Sequence, residues 1–273
     1  MYNAMGRYLL KGLTMSNLSF VQTNKHDTKS DRFKVITPDE IRQVMDSYGF
    51  DLISLKTGFA KKPDRIDFQT TVARYRSRDG FEVQGCAFDI VFKVPHLYGA
   101  LKGMIALFRQ VCSNGLIAGR DFEVIKVPHL ERPVEELNTL IPMLVAQRQK
   151  LVDQVKAMQS VTVTKAQLAA LAETVSRIRL DGVENITRIE SADLLRPRRA
   201  EDIGSDLFTV LNVLQENALR FGVRYQTSVT NIETGETRIR NVNARKVSET
   251  SLKAIDLNAS IWDAAAKLLN PAA

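Results

Sequence analysis

Between Cys86 and His129 the chain gathers both of its cysteines and two of its three histidines. Each of these histidines sits in the same pentapeptide, Lys93-Val94-Pro95-His96-Leu97 and Lys126-Val127-Pro128-His129-Leu130. Imidazoles and thiols in one region suggest a split metal site, or a cysteine nucleophile with a histidine base. Structural zinc sites use C-x-x-C or H-x(3–5)-H pairs. Cys86, His96, Cys112 and His129 are separated by nine to sixteen residues, so that spacing is missing. Cys112 beside a histidine remains an enzyme alternative, because nucleophile and base need only be close in space. The plainer reading of Cys112 is a small buried thiol at the end of an element. Five repeated residues are too few for a solenoid. Proline cannot donate to a ladder and readily closes a strand. The two copies therefore read as two strand exits, each carrying a lysine and a histidine to the same end of a sheet.

The basic residues give a sharper lead. The chain has a formal net charge of +7 over 273 residues and a pI near 9.4. Residues 1–130 hold 19 lysines and arginines against 13 acidic residues, whereas 131–273 hold 19 against 18. The excess is local. Lys56, Lys61, Lys62 and Arg65 precede a strand on which Arg74 and Arg76 share a face, Tyr75 takes the other, and Arg78 opens the turn. Arg196, Arg198 and Arg199 form a second cluster, and Arg238, Arg240 and Arg245 a third. Basic sheet faces can follow a phosphate backbone, and aromatic rings stack on unpaired bases. Aromatic residues make up only 7% of the chain, so such binding would lean on charge. The competing reading is a solvated sheet edge kept soluble by positive charge.

Other classes find little support. No apolar run approaches the roughly 18 residues of a spanning helix, and the first residues do not read as a secretory signal. Two cysteines cannot build a disulfide framework, which fits a reducing cytosol. No phosphate loop, dinucleotide fingerprint, nucleophile elbow or HExxH motif is present, so no cofactor is expected.

The elements that position these residues follow from periodicity. Residues 1–32 read as a flexible N-terminal arm in which His26 is solvated, and 33–273 as one α+β domain. Thr37 and Glu40 form a capping box for a short helix, with Pro38 in the first turn and Gly49 as its stop. "DFQTTVARYRS" alternates as a strand, "RDGF" turns, and "FEVQGCAFDIVFKV" returns, with Gly85 as a bulge. "LYGALKGMIALFRQV" reads as a helix through Leu101, Ile105 and Phe108, and "FEVIKV" as a strand. Residues 133–178 read as a helical hairpin bent near Pro142, with a second capping box at Thr164 and Gln167. "SDLFTVLNVLQENALRFG" is a capped helix ending at Gly222. "RYQTSV" and "ETRIRNV" form a hairpin, and "ASIWDAAAKLLN" is a closing helix with Trp262 as a core anchor.

"FKVPHLYGALKGMIALFRQVCSNGLIAG…VIKVPHL", with "DLFTVLNVLQENALRFG…TRIRNVNA", resembles a phage- and plasmid-like family grouped as a domain of unknown function. The matching residues are His96, Phe108-Arg109, Cys112-Ser113-Asn114-Gly115-Leu116, His129, Asn212, Gln215-Glu216 and Leu257-Asn258 with Trp262. The likeness covers roughly 86–270. The chain shows "PHLY" where the common form around the first histidine is "SHDG", so no acid–base or metal role is carried over. Within the group the chain is most similar to single-stranded-DNA-binding replication cofactors and transcription regulators of podoviruses that package an RNA polymerase. That resemblance implies single-stranded DNA and a phage RNA polymerase as partners, in the cytoplasm of an infected bacterial host.

The expectation is an α+β protein: an antiparallel sheet with an inserted helical hairpin and C-terminal helices. Its expected work is non-enzymatic binding of single-stranded DNA. Arg74, Arg76, Arg78, Lys93, Arg109 and Lys126 would contact phosphates, and Tyr75 would stack. Lys56, Lys61, Lys62, Arg65, Arg196, Arg198, Arg199, Arg238 and Arg240 would widen the basic surface. The alternatives are a metal- or thiol-dependent nucleic-acid enzyme centred on His96, His129 and Cys112, and a homo-oligomeric adaptor using the hairpin.

Overall fold

The computed structural model describes residues 25–57, 68–109, 114–117, 119, 122–247 and 252–269. It is α+β, with two antiparallel sheets and six α-helices among the described residues. The sequence reading treats 33–273 as one domain. In space the chain groups into two compact units, one of residues 1–115 and 122–149, the other of 116–121 and 150–273.

The first unit opens with α1 (Pro38–Ser47). Thr37 Oγ1 accepts from the Glu40 amide at 3.2 Å, and the Glu40 carboxylate accepts from the Thr37 amide at 2.7 Å, so the capping box is complete. Gly49, at φ +79°, releases the chain into β1 (Phe50–Thr57). There follow β2 (Thr71–Ser77), the short β3 (Glu82–Val83), β4 (Cys86–Val94), β5 (Leu101–Arg109), β6 (Asn114–Ile117) and β7 (Ile125–Val127). They form one sheet in the order β1-β2-β4-β5-β6, with β3 paired to β4 and β7 to β5. Gln84 and Gly85 both have positive φ and make the two-residue turn between β3 and β4, so Gly85 serves a hairpin rather than a bulge.

β4 is buried along its whole length, as a central strand covered on both faces must be. Phe88, Ile90 and Phe92 of β4 share a face with Tyr75 of β2 and with Leu101, Ile105 and Leu107 of β5. α1 and α2 (Pro133–Ala146) pack on this unit through Ile41, Val44, Met45, Leu137, Ile141 and Leu144. Gly103 lies opposite both Phe92 and Ile125, and a Cβ there would stand 2.6 Å and 2.8 Å from their side chains.

Residues 101–109 are a strand and not the helix their spacing suggests. Leu101, Ile105 and Phe108 fit a helical stripe. Leu101, Gly103, Ile105 and Leu107 alternate equally well with Lys102, Met104, Ala106 and Phe108, and pairing with β4 on one side decides for the strand.

The second unit contains most of α3 (Arg148–Ser160), then α4 (Lys165–Arg179), β8 (Ile186–Glu190), α5 (Leu207–Glu216), β9 (Arg224–Thr230), β10 (Thr237–Asn243) and α6 (Leu252–Ala266). Residues 133–178 thus hold three helices where a bent two-helix hairpin was expected. The first break is at Gln147, whose side chain leaves the helical path to accept from the Glu123 amide at 2.6 Å. Pro142 stays inside α2. The second capping box, Thr164 with Gln167, starts α4 as read. Leu171 and Val175 of α4, Leu207, Leu211 and Leu214 of α5, and Ile261 and Trp262 of α6 are buried in this unit. The Trp262 indole N–H donates to Gln154 Oε1 at 3.0 Å. A three-stranded sheet, β10-β9-β8, completes it.

Candidate nucleic-acid interface

The two pentapeptides occupy equivalent places in the first sheet. β4 and β7 both run antiparallel to the start of β5, so both end at the same edge. Lys93 and Lys126 each lie directly opposite Lys102. The row continues the other way, because Lys93 is opposite Val72 and Val72 opposite Lys56. Directly paired residues share a face, so Lys56, Lys93, Lys102 and Lys126 all belong to the face that carries Arg74 and Arg76. Neighbouring strands lie about 4.8 Å apart, so the row spans about 19 Å. Lys56, Lys102 and Lys126 are exposed; Lys93, expected to contact a phosphate, is instead buried where β4 is covered on both faces. Lys102 was not among the residues expected to bind, since a helix would have turned it away from Lys93.

The arginines of this face are held in place. Asp89 is fully buried between them, 2.8 Å from Arg76 Nε and 3.4 Å from Arg74 Nε. The Arg74 guanidinium also lies 3.6 Å from the centre of the Phe108 ring. Arg78 joins Asp51 at 2.7 Å and also pairs with Asp46. These three arginines therefore shape the face as well as charge it.

Tyr75 is corrected outright. It is on the face opposite Arg74, as the alternation says, but that face is the core: Tyr75 is 1% exposed and edge-on to Phe92. It cannot stack on a base there. Burial pushes its hydroxyl well above the ordinary phenol range.

The histidines do come together. The His129 ring stacks on Phe33 with centroids 4.7 Å apart, its Nδ1 is 3.0 Å from the Lys34 carbonyl, and the Pro95 carbonyl of the first pentapeptide also faces it. Burial nevertheless holds its pKa below the usual value, with the Lys29 charge helping. His96 is 3.4 Å from Thr71 Oγ1, and burial, reinforced by His129, lowers its pKa to about 4. Both rings are thus neutral fittings at the strand exits. Cys86 is a buried thiol, and Cys112 lies outside the described residues. Among the described residues no group of three histidines, cysteines or carboxylates is placed to hold a metal.

The remaining predicted residues scatter. Lys61, Lys62 and Arg65 lie outside the described residues, and Arg109 ends β5. In the second unit Arg196 and Arg198 are exposed on a loop, whereas Arg199 turns inward onto Glu216 and Asp202. Arg238 and Arg240 are exposed on one face of β10, with Arg238 paired to Glu236. His26, expected to be solvated, meets the Phe68 ring edge-on at 4.6 Å.

The family model described as Domain of unknown function (DUF932) matches residues 25–262. The chain belongs to this family. DUF932 thus takes in both units, including the lysine row and the arginine loop. The chain is 26% identical over 255 residues to UPF0380 protein YfjQ of Escherichia coli (strain K12), covering 92% of this chain and 88% of that one. UPF0380 protein YafZ of the same strain matches with the same identity and coverage. No solved structure matches. No helix among the described residues is long and apolar enough to cross a membrane.

Proposed function

We propose that this DUF932 protein binds single-stranded DNA without acting on it chemically, at the exposed lysine end of its larger sheet. What carries the reading is that the exposed Lys56, Lys102 and Lys126 share one face at one end of the sheet. Like charges directly opposite one another on neighbouring strands are destabilising, by a few tenths to about 1 kcal/mol per pair. A phosphate chain laid beside the exposed lysines releases its own condensed counterions. With Tyr75 in the core, this face contributes charge and little stacking.

The resemblance carried by "FRQVCSNGL" and "NVLQE" supports a narrower role. The protein would hold strands open for phage DNA replication and for transcription by a phage RNA polymerase, in the cytoplasm of an infected bacterium. Fluorescence anisotropy of a labelled, unstructured oligonucleotide in rising salt tests the binding. The expected result is a linear, steep fall of log affinity with log salt, with a duplex of equal length binding more weakly. Salt-insensitive or absent binding, or a strong preference for duplex, sinks the proposal.

A further inference from the structure

Phe221 is a large apolar side chain left 48% exposed, at the end of the π-helical turn Asn217–Phe221 that follows α5. The Arg198 guanidinium lies over its ring, 4.0 Å from the centre. Neither group reached this arrangement by default, because buried polar groups hold the loop that carries Arg198. Asn217 is 1% exposed. Its amide donates to the carbonyls of Leu194 at 2.9 Å and Arg196 at 3.0 Å, and its oxygen accepts from Arg198 Nε at 2.9 Å. Beneath the loop Arg199 grips the buried Glu216 carboxylate with two bonds of 2.6 and 2.7 Å and reaches Asp202 at 3.2 Å. Partnered buried networks of this kind fix the geometry of what they support. The chain beyond the ring is fixed as well. Gly222 has φ +78°, and a Cβ there would stand 1.7 Å from the Ala244 carbonyl oxygen.

The surroundings are basic. Arg196, Arg198 and Arg224 all act on Asp193, whose carboxyl is held below the usual range, first by the Arg224 hydrogen bond and then by the three positive charges, against its partial burial. Arg224 also pairs with Glu190 at 3.2 Å, so three arginines face two carboxylates. A flat cation–ring stack beside the exposed Arg196 suits a planar group that carries a phosphate.

We propose that Phe221 and Arg198 form a stacking subsite for an unpaired nucleobase, with Arg196 on the adjoining phosphate. The proposal rests on the single-stranded-DNA reading and supplies the stacking that Tyr75 cannot.

The test uses the full chain and two labelled probes of equal length: an unstructured oligonucleotide and one whose central nucleotides are abasic. Each stacked base is worth about 1–3 kcal/mol, so wild type should prefer the intact strand by about five- to 160-fold. Phe221→Ala should lose most of that preference, with unchanged salt slope and unchanged affinity for the abasic strand, because stacking releases no counterions. Phe221→Trp should keep the preference, and its emission should change on binding against the constant signal of buried Trp262. If Phe221→Ala keeps the full preference, the subsite is wrong while strand binding stands. If a thymidine mononucleotide competes as well as the strand, the site is a nucleotide pocket and the proposal falls. If wild type binds neither probe, the broader functional reading fails instead.

Discussion

The Asp89 carboxylate, fully buried at the middle of β4, receives two hydrogen bonds from the guanidinium of Arg76, its register partner on β2. One negative charge thereby anchors two arginines, since Arg74 also reaches it. Removing one partner of a buried ion pair strands the other, which is strongly destabilising. Asp89→Asn should lower unfolding free energy by about 3–5 kcal/mol, read from urea denaturation at neutral pH. A loss within error of zero would mean that the guanidiniums find water instead.

The lysine row makes a separate prediction about salt. Each phosphate contact on a single strand contributes about 0.7 to the slope of log affinity against log salt. Lys102→Ala and Lys126→Ala should each reduce that slope by about this amount, and the double variant by about twice as much. Both side chains are exposed, so thermal stability should hardly change. A slope that stays at the wild-type value in the double variant removes the row from the interface.

Tyr75→Phe should leave oligonucleotide affinity and salt slope at wild-type values, because the ring is in the core. The hydroxyl is buried with no hydrogen-bond partner among the described residues. Leaving a buried polar group unpaired costs about 1–3 kcal/mol, so removing it should stabilise the fold or leave it unchanged. Weaker binding by a folded Tyr75→Phe protein would return this residue to the interface.

His96 makes stability depend on acidity. Its pKa is lowered to about 4 in the fold from 6.5. Between these values the unfolded chain takes a proton that the folded chain refuses. Stability is therefore fully present above about pH 7 and is lost as pH falls toward 4, by up to about 3 kcal/mol from this residue. His129 is shifted in the same direction and adds to the slope. Denaturant titrations at several pH values should show His96→Gln with a shallower loss than wild type. Parallel curves for the two proteins would refute the assignment.

Much of this architecture is written locally. The capping boxes at Thr37 and Thr164, the stop at Gly49 and the β9–β10 hairpin all follow from short-range signals, and all form as read. The strand alternation also put Arg74 and Tyr75 on opposite faces. Which face becomes the core depends on α1 and α2 arriving from elsewhere in the chain, so the role given to Tyr75 failed. β5 was misread because both its faces are buried, which erases the polar half of a strand's alternation. Losing β5 hid Lys102, and with it the centre of the row. Arg199 looked like its neighbours Arg196 and Arg198. The buried carboxylates of Asp202 and of Glu216, seventeen residues on, pull it inside. Phe221 passed as the end of a helix, since nothing local says that Arg198 lies across it.

Gly103 has a bearing on how the sheet finds its alignment. Shifting β5 by one residue against β4 would drive Lys102 or Met104 into the space between Phe92 and Ile125, where even one extra carbon collides. The same shift would carry Lys102 to the other side of the sheet. A single missing methyl thus works as a keyway: it admits one seating of β5 and rejects those that would bury the charge. Slipped arrangements are penalised by shape before electrostatics comes into play, and Lys102 reaches the surface as a by-product of how tightly Phe92 and Ile125 close around a glycine.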